Sequence, residues 1–248
     1  MFSFVFHRHG IIILIFSDTV KGAALLCGLT LLLENGRIRA ILTGMKNTLP
    51  VKAVISDLGR VFIDFDHSIS CGKIAKLAGC DIEEVYDFIY RNKMDIKFDR
   101  GEISPYAFFN KIKARFKLRI SYGEFKNIFS QIFTLIKPVY NIYRKLKKRY
   151  KLVFLSNTNV IHYEICLKTM PLKDIFEGGI LSYKEGIMKP HPRLYMKAVS
   201  LAGCKPEECV YIDDIFEFVD AARALGLKGI RFKSGKQLER ELKILGVK

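Results

Sequence analysis

The stretch Val51 to Asp66, VKAVISDLGRVFIDFD, decides how the chain is read. Its apolar, β-branched run of Val51, Ala53, Val54 and Ile55 ends in Ser56-Asp57, with a glycine two residues later. That is the pattern of a buried strand delivering a carboxylate to its C-terminal tip. Open α/β sheets bind their ligands outside the carboxyl ends of the strands. An Asp after a strand is also an ordinary turn former or helix N-cap, so Asp57 gains its meaning from the segments downstream of it.

Three later segments read as further strand ends. Lys151-Leu-Val-Phe-Leu155 runs into Ser156-Asn157, Gly186-Ile-Met-Lys189-Pro190 sets a lysine before a proline-containing helix start, and Cys209-Val-Tyr-Ile212 runs into Asp213-Asp214. With Asp57, Ser156, Lys189 and the acidic pair in this order, the chain resembles the haloacid dehalogenase-like hydrolase superfamily from about Val51 to its C-terminus. DLGxV followed by Asp64 and Asp66, the segment Arg100-Gly-Glu-Ile-Ser104, and MKPHPRLY are similar to one branch of it. That branch holds the α-glucose-1-phosphatases and the N-terminal phosphatase domain of soluble epoxide hydrolase.

Strands alternating with helices after Lys137 predict an α/β fold, a Rossmann-like parallel sheet covered by helices on both faces. From Asp57 to Ser156 is 99 positions, whereas a strand, a helix and the next strand need about 30 residues. Residues 67–137 are therefore read as a helical insertion. Its signals are capping boxes at Asp81/Glu84 and Ser121/Glu124 and an N-cap at Ser104 before Pro105, each ahead of apolar residues at helical spacing. The resemblance implies that this is a cap domain closing over a core formed by residues 51–66 and 138–248.

Residues 1–50 fit the rest poorly and are read as an N-terminal extension. Its apolar runs are interrupted by Asp18 and Lys21, and an ionised residue near the middle of a membrane span costs about 2.5 to 3.5 kcal/mol. The preferred start is Met45, six residues before the first core strand, with a weak anchor or signal as the alternative.

Half the residues are apolar, which excludes disorder. The six cysteines form no C-x-x-C and no Cys/His cluster, so they are read as reduced thiols of a cytoplasmic protein. The net charge of +16 is densest over Lys137 to Lys151, where seven Lys/Arg face no acid. No nucleic-acid module accompanies it, so the charge is read as a solvated helix face that attracts anionic substrates, with neither a specific nucleic-acid partner nor firm membrane association. A monomer or a homodimer is expected.

The chemistry follows from residue types and from the resemblance together. Asp57 is the candidate nucleophile, since a carboxylate attacking phosphorus gives an aspartyl-phosphate that water then cleaves. Asp213 and Asp214 would repel one another without a cation between them, and oxygen ligands beside a phosphate suit Mg²⁺. The resemblance implies coordination by Asp57, the Gly59 carbonyl and Asp214, with Asp213 either a direct ligand or a supporting neighbour. Ser156, the backbone N–H groups of Asn157 and Thr158, and Lys189 would bind the phosphoryl oxygens.

One position departs from the family pattern. Most superfamily phosphatases carry a second Asp two residues after the nucleophile as general acid and base, and here that residue is Gly59. Losing such proton transfer costs on the order of 10² to 10⁴ in rate. Either the leaving group needs little help, as with a sugar 1-phosphate, or another group substitutes, with Asp64, Asp66 and His67 as candidates.

These residues predict a Mg²⁺-dependent phosphatase acting on a small phosphorylated metabolite. A metal-independent 2-haloacid dehalogenase is the alternative within the resemblance, opposed by the acidic pair at Asp213-Asp214. A binding protein using the basic surface of a catalytically silent scaffold is the alternative from another class.

Overall fold

The computed structural model describes residues 49–248, together with the backbone of four strands nearer the start. Within the first compact unit, Met1–Leu49, strands β1 (Ser3–Phe6) and β2 (Ile12–Ile15) pair antiparallel, as do β3 (Leu29–Glu34) and β4 (Arg37–Leu42). The expected start at Met45 and the charged residues Asp18 and Lys21 lie outside the described residues.

The second unit, Pro50–Lys248, is built on a five-stranded sheet whose strands all run parallel. In chain order the strands are β5 (Ala53–Ser56), β8 (Lys151–Ser156), β9 (Gly178–Leu181), β10 (Cys209–Asp213) and β11 (Lys228–Arg231). In space the order is β11-β10-β5-β8-β9. The sheet is wound outward in both directions from β5, so its central strand ends in Ser56-Asp57 with β8 and β10 on either side. A parallel sheet buried on both faces needs continuous apolar strands rather than alternating ones. Every residue of β5 and of β10 is buried, as are the five residues of β8 after Lys151.

Helices cover both faces. On one side, α6 (Lys137–Leu146), α7 (Val160–Thr169), α8 (Leu172–Ile175) and α12 (Gly235–Ile244) close over Val54, Phe154 and Ile212. On the other, α10 (Pro192–Ala202) and α11 (Phe216–Ala224) close over Ala53, Ile55, Val153 and Tyr211. Phe62 stacks on Tyr143 at 5.8 Å and meets Phe176 edge-on at 5.1 Å, and truncating such a ring costs about 3–5 kcal/mol. Tyr143 then donates its hydroxyl to Ser56 Oγ at 2.8 Å, so the packing of α6 is tied to the residue before Asp57.

Two short strands absent from the sequence reading bracket the insertion. β6 (Ile63–Phe65) pairs antiparallel with β7 (Phe133–Leu135), and the Asp66 N–H donates to the Ile132 carbonyl at 3.1 Å. Between them lie α1 (His67–Ala78), α2 (Ile82–Tyr86), a π-helical turn over Asp87–Arg91, α3 (Met94–Asp99), α4 (Pro105–Arg115) and α5 (Tyr122–Ser130). These helices pack on an apolar cluster of their own, with Phe98, Phe108, Phe125 and Phe129 at its centre.

The capping expectations divide. Ser104 accepts from the Ala107 N–H, and Ser121 with Glu124 forms a complete box. Asp81 makes no side-chain cap, so the box expected there is not formed. Among the described residues no helix is long and apolar enough to cross a membrane, and Cys71, Cys80, Cys166, Cys204 and Cys209 are free thiols.

Candidate active site

Asp57 stands immediately beyond β5, where its N–H is still held by the carbonyl of Ile212 on the neighbouring strand at 2.8 Å. Its Oδ1 accepts from the Leu58 N–H at 2.7 Å, so backbone geometry fixes the carboxylate. Asp213 ends β10 one strand away, and Asp214 comes directly after it. One carboxylate oxygen from each of the three lies within 4.8 Å of the others.

Lys189 brings the opposite charge. Its buried Nζ sits 2.9 Å from Asp57 Oδ1 and 2.7 Å from Asp213 Oδ2. The strand end expected before it is not there. Lys189 comes after a short helix, α9 (Ser182–Glu185), on a turn before α10. That turn is held by Asn157, whose Oδ1 accepts from the Lys189 N–H at 2.8 Å and whose Nδ2 donates to the Lys189 carbonyl at 3.3 Å. The Asn157 side chain is thereby committed to placing the lysine. Ser156 is buried at the end of β8, the strand that pairs parallel with β5.

Burial pushes the Asp57 carboxyl up to about 7, against the pull of the Lys189 ammonium and with the repulsion of Asp213 added. Burial alone would lower Lys189, but the two carboxylates hold it above its ordinary value. Asp214 is raised by burial and by Asp213. Asp213 has both oxygens engaged, Oδ2 by Lys189 and the Tyr211 hydroxyl and Oδ1 by the Ile215 N–H. Three carboxylates against one ammonium leave two negative charges, and every donor is oxygen. This donor set suits a hard divalent cation such as Mg²⁺. The Gly59 carbonyl, which accepts no hydrogen bond from a described residue, adds a neutral oxygen of the same kind.

Thr158 does not serve as the sequence suggested. Its N–H donates to Ser182 Oγ at 2.9 Å, so it is turned away from a phosphate. At Gly59, a Cβ would come within 3.0 Å of Phe65 Cε1, so the Phe65 ring occupies the space beside the nucleophile loop.

A cavity of about 120 Å³ opens beyond this loop. Leu58, Gly59, Ser156 and Asn157 line it from the sheet, and Phe65, His67 and Asp99 from the inserted helices and their first strand. A larger groove of about 290 Å³ lies elsewhere, where Lys145, Lys236 and Lys243 surround Leu146 and Leu242. It takes in part of the basic run and none of the carboxylate cluster. Asp99 was missed in the sequence; its one signal is its place before the Arg100-Gly-Glu-Ile-Ser104 segment. Gly101 has φ 69°, and a Cβ there would strike the Tyr183 carbonyl at 2.4 Å. Only glycine lets that turn sit against α9.

Comparison with known proteins gives a consistent picture. A family model described as haloacid dehalogenase-like hydrolase matches residues 115–226. A D-ribitol-5-phosphate phosphatase of Bacteroides thetaiotaomicron is 24% identical over 204 residues, 79% of this chain and 98% of that protein. A glyceraldehyde 3-phosphate phosphatase of Pyrococcus furiosus is 32% identical over 100 residues, 40% of this chain, and the match spans only 42% of that protein's length. Among solved structures, a HAD family enzyme from B. thetaiotaomicron superposes with a TM-score of 0.70 at 25% identity, covering 78% of this chain and 98% of that one. A mutant of that enzyme in complex with magnesium and inorganic phosphate superposes with a TM-score of 0.65 at 26% identity, covering 75% and 95% of the two chains.

Proposed function

Because the chain belongs to the haloacid dehalogenase-like hydrolase superfamily, we propose that it is a Mg²⁺-dependent phosphatase that hydrolyses a small phosphomonoester through an aspartyl-phosphate on Asp57. The observation that carries this reading is the convergence of Asp57, Asp213 and Asp214 within 4.8 Å at the end of the central strands, with Lys189 between two of them. An isolated turn Asp would have no such company.

In this mechanism Asp57, Asp214 and the Gly59 carbonyl would hold the ion, with Asp213 beside them anchoring Lys189. Bound there, Mg²⁺ supplies positive charge for the phosphoryl oxygens. Asp57, fixed by the Leu58 N–H, attacks phosphorus and the bond to the leaving oxygen breaks. Ser156, the Asn157 N–H and Lys189 receive the negative charge that gathers on the phosphoryl oxygens. Water then attacks the phosphorus of the aspartyl-phosphate and inorganic phosphate leaves, so one difficult displacement becomes two easier ones.

The leaving group would lie toward the cavity beyond Gly59, which the inserted helices close from the other side. This arrangement fits a small phosphorylated metabolite, in keeping with the small phosphate esters named for the two relatives. The free thiols fit the reducing cytoplasm.

The test is phosphate release from an aryl phosphate and a panel of sugar and polyol phosphates, with Mg²⁺ and with EDTA. Release is expected only with the metal, and Asp57→Asn should lower it by about 10⁴ or more. Metal-independent chloride release from a 2-chloroacid would instead establish a dehalogenase. Salt-sensitive binding of RNA or anionic lipid with no turnover of any ester would establish a binding protein.

A further inference from the structure

Phosphoryl transfer to Asp57 leaves an oxyanion on the departing group, and the position two residues beyond the nucleophile has no side chain to protonate it. Nor is there ready space for one, since the Phe65 ring lies 3.0 Å from where a Cβ at Gly59 would stand. The three nearby groups are also engaged otherwise. Asp64 pairs with Arg60 at 2.8 Å on the surface. Asp66 caps α1 by accepting from the Ser68 N–H at 2.9 Å. His67 has its Nδ1 bound to the Tyr90 hydroxyl at 2.9 Å. Burial lowers its imidazole to about 4, so it carries no imidazolium proton at neutral pH.

We propose that Asp99, reaching the cavity from the inserted helices, donates the proton to the leaving oxygen and then accepts one from the water that cleaves the aspartyl-phosphate. The proposal rests on the phosphatase reading above. Asp99 lines the same cavity as Leu58, Gly59 and Ser156. Its Oδ1 accepts from Asn159 Nδ2 at 2.9 Å, and Oδ2 has no hydrogen-bond partner among the described residues. The Asn159 amide is itself locked, with Oδ1 accepting from the His162 N–H at 3.0 Å and Nδ2 also 3.1 Å from His162 Nδ1. The Asp99 carbonyl lies 2.6 Å from Ser182 Oγ, the same hydroxyl that holds the Thr158 N–H. One end of α3 is thus pinned to the start of α9 and, through Ser182, to the loop that carries Asn157.

The surroundings suit a proton carrier. Burial raises the Asp99 carboxyl to about 7, opposed by the Asn159 hydrogen bond and reinforced by Asp95 on its own helix. The other titratable groups facing it are Tyr90, raised by burial, and His67 and His162, both held neutral by burial. Tyr163 and Cys166 on α7 also border the cavity and are raised by burial. Among the described residues no cation pairs with Asp99. A general acid works best when its pKa lies near the working pH.

Atoms and protons balance over the two half-reactions. The Asp57 oxygen–phosphorus bond forms, the phosphorus–ester oxygen bond breaks, and the Asp99 proton passes to that oxygen. In the second half water adds to phosphorus, its proton returns to Asp99, and the bond to Asp57 breaks.

The experiment compares kcat/KM for 4-nitrophenyl phosphate, whose leaving group needs no proton, with that for a primary alkyl phosphate, in wild type and Asp99→Asn. The constant kcat/KM reports steps up to departure of the leaving group. The alkyl ester should lose about 10²-fold or more, and the aryl ester less than about threefold. Aryl ester turnover in the variant should begin with a burst of nitrophenolate, because hydrolysis of the aspartyl-phosphate has lost its base. Equal losses on both esters would make Asp99 a latch between α3 and the loops and overturn the proposal, as would no loss on either. A second measurement needs only wild type: the ratio of alkyl to aryl kcat/KM should fall as pH rises through about 7, the aryl ester correcting for groups common to both. A flat ratio overturns the proposal. Wild type inactive on both esters would remove the phosphatase reading itself, a result distinct from either failure.

Discussion

Two carboxyls in this molecule, the buried Asp57 and the partly buried Asp99, are both raised to about 7, and for different reasons. Asp57 stands among charges: burial raises it, Asp213 raises it further, and Lys189 pulls it down. Asp99 has one charged neighbour, Asp95 on its own helix, and otherwise stands among neutral groups, with an amide on one oxygen and aromatic rings and imidazoles around the cavity. Charge added at the site therefore acts directly on Asp57, while Asp99 keeps its proton chiefly by burial. The first environment suits a nucleophile held ready beside a cation, the second a proton donor. Pairs of titratable groups whose surroundings differ in this way are how one site performs both kinds of chemistry.

The largest effect should come from the charged side of this comparison. Lys189→Met leaves Asp57 and Asp213 buried without their shared cation, and removing one partner of a buried pair costs about 3–5 kcal/mol. Thermal unfolding should shift down by roughly 10 °C for a domain of this size, and turnover should fall by about 10³. An unchanged melting temperature would show that the ion pair does not organise the strand ends.

The neutral side should show itself through pH. Burial lowers His162 to about 3, below its unfolded value, so its contribution to stability is present above about pH 6.5 and is lost as pH falls toward 3. From about pH 7 to about pH 5, urea unfolding should register a loss near 2 kcal/mol from this group. His162→Gln should flatten that dependence, although it also loses the contact with the Phe129 carbonyl at 3.2 Å. The same slope in both proteins would mean that His162 is not held neutral.

The smallest structural effect, and the sharpest discriminator, is expected at Gly59. Gly59→Asp must displace the Phe65 ring by a few tenths of an ångström, at a cost of about 1 kcal/mol. In the Asp99→Asn background it should recover alkyl ester hydrolysis by about tenfold or more. No recovery, with the protein folded, would separate position 59 from proton transfer in this molecule.

The parallel sheet was legible because its strands are short apolar runs that differ from everything around them, and because each is succeeded by a turn or a helix signal. Asp57, Ser156 and Asp213 stood out for the same reason, being polar residues directly after such runs. Lys189 was conspicuous by its order among the others, but the strand end read before it is not formed, and it lies on a turn after α9. The β6 and β7 pair escaped notice because a three-residue strand has too few positions for alternation to register. The missing cap at Asp81 is a local failure of another kind, because the spacing of a box permits the hydrogen bond without forming it.

Local chemistry was enough to determine the alternation of strands and helices, the apolar identity of the central strands and the acidic residues at their ends. Hydrophobic period and turn chemistry act over a few residues and can be read one segment at a time. The sequence could not place Asp99 in the same cavity as Gly59, nor turn the Thr158 N–H toward Ser182, nor set the Phe65 ring beside Gly59. Those placements join residues up to 40 positions apart, Asp99 and Gly59, and only packing of the inserted helices beside the strand ends decides which of their polar groups meet.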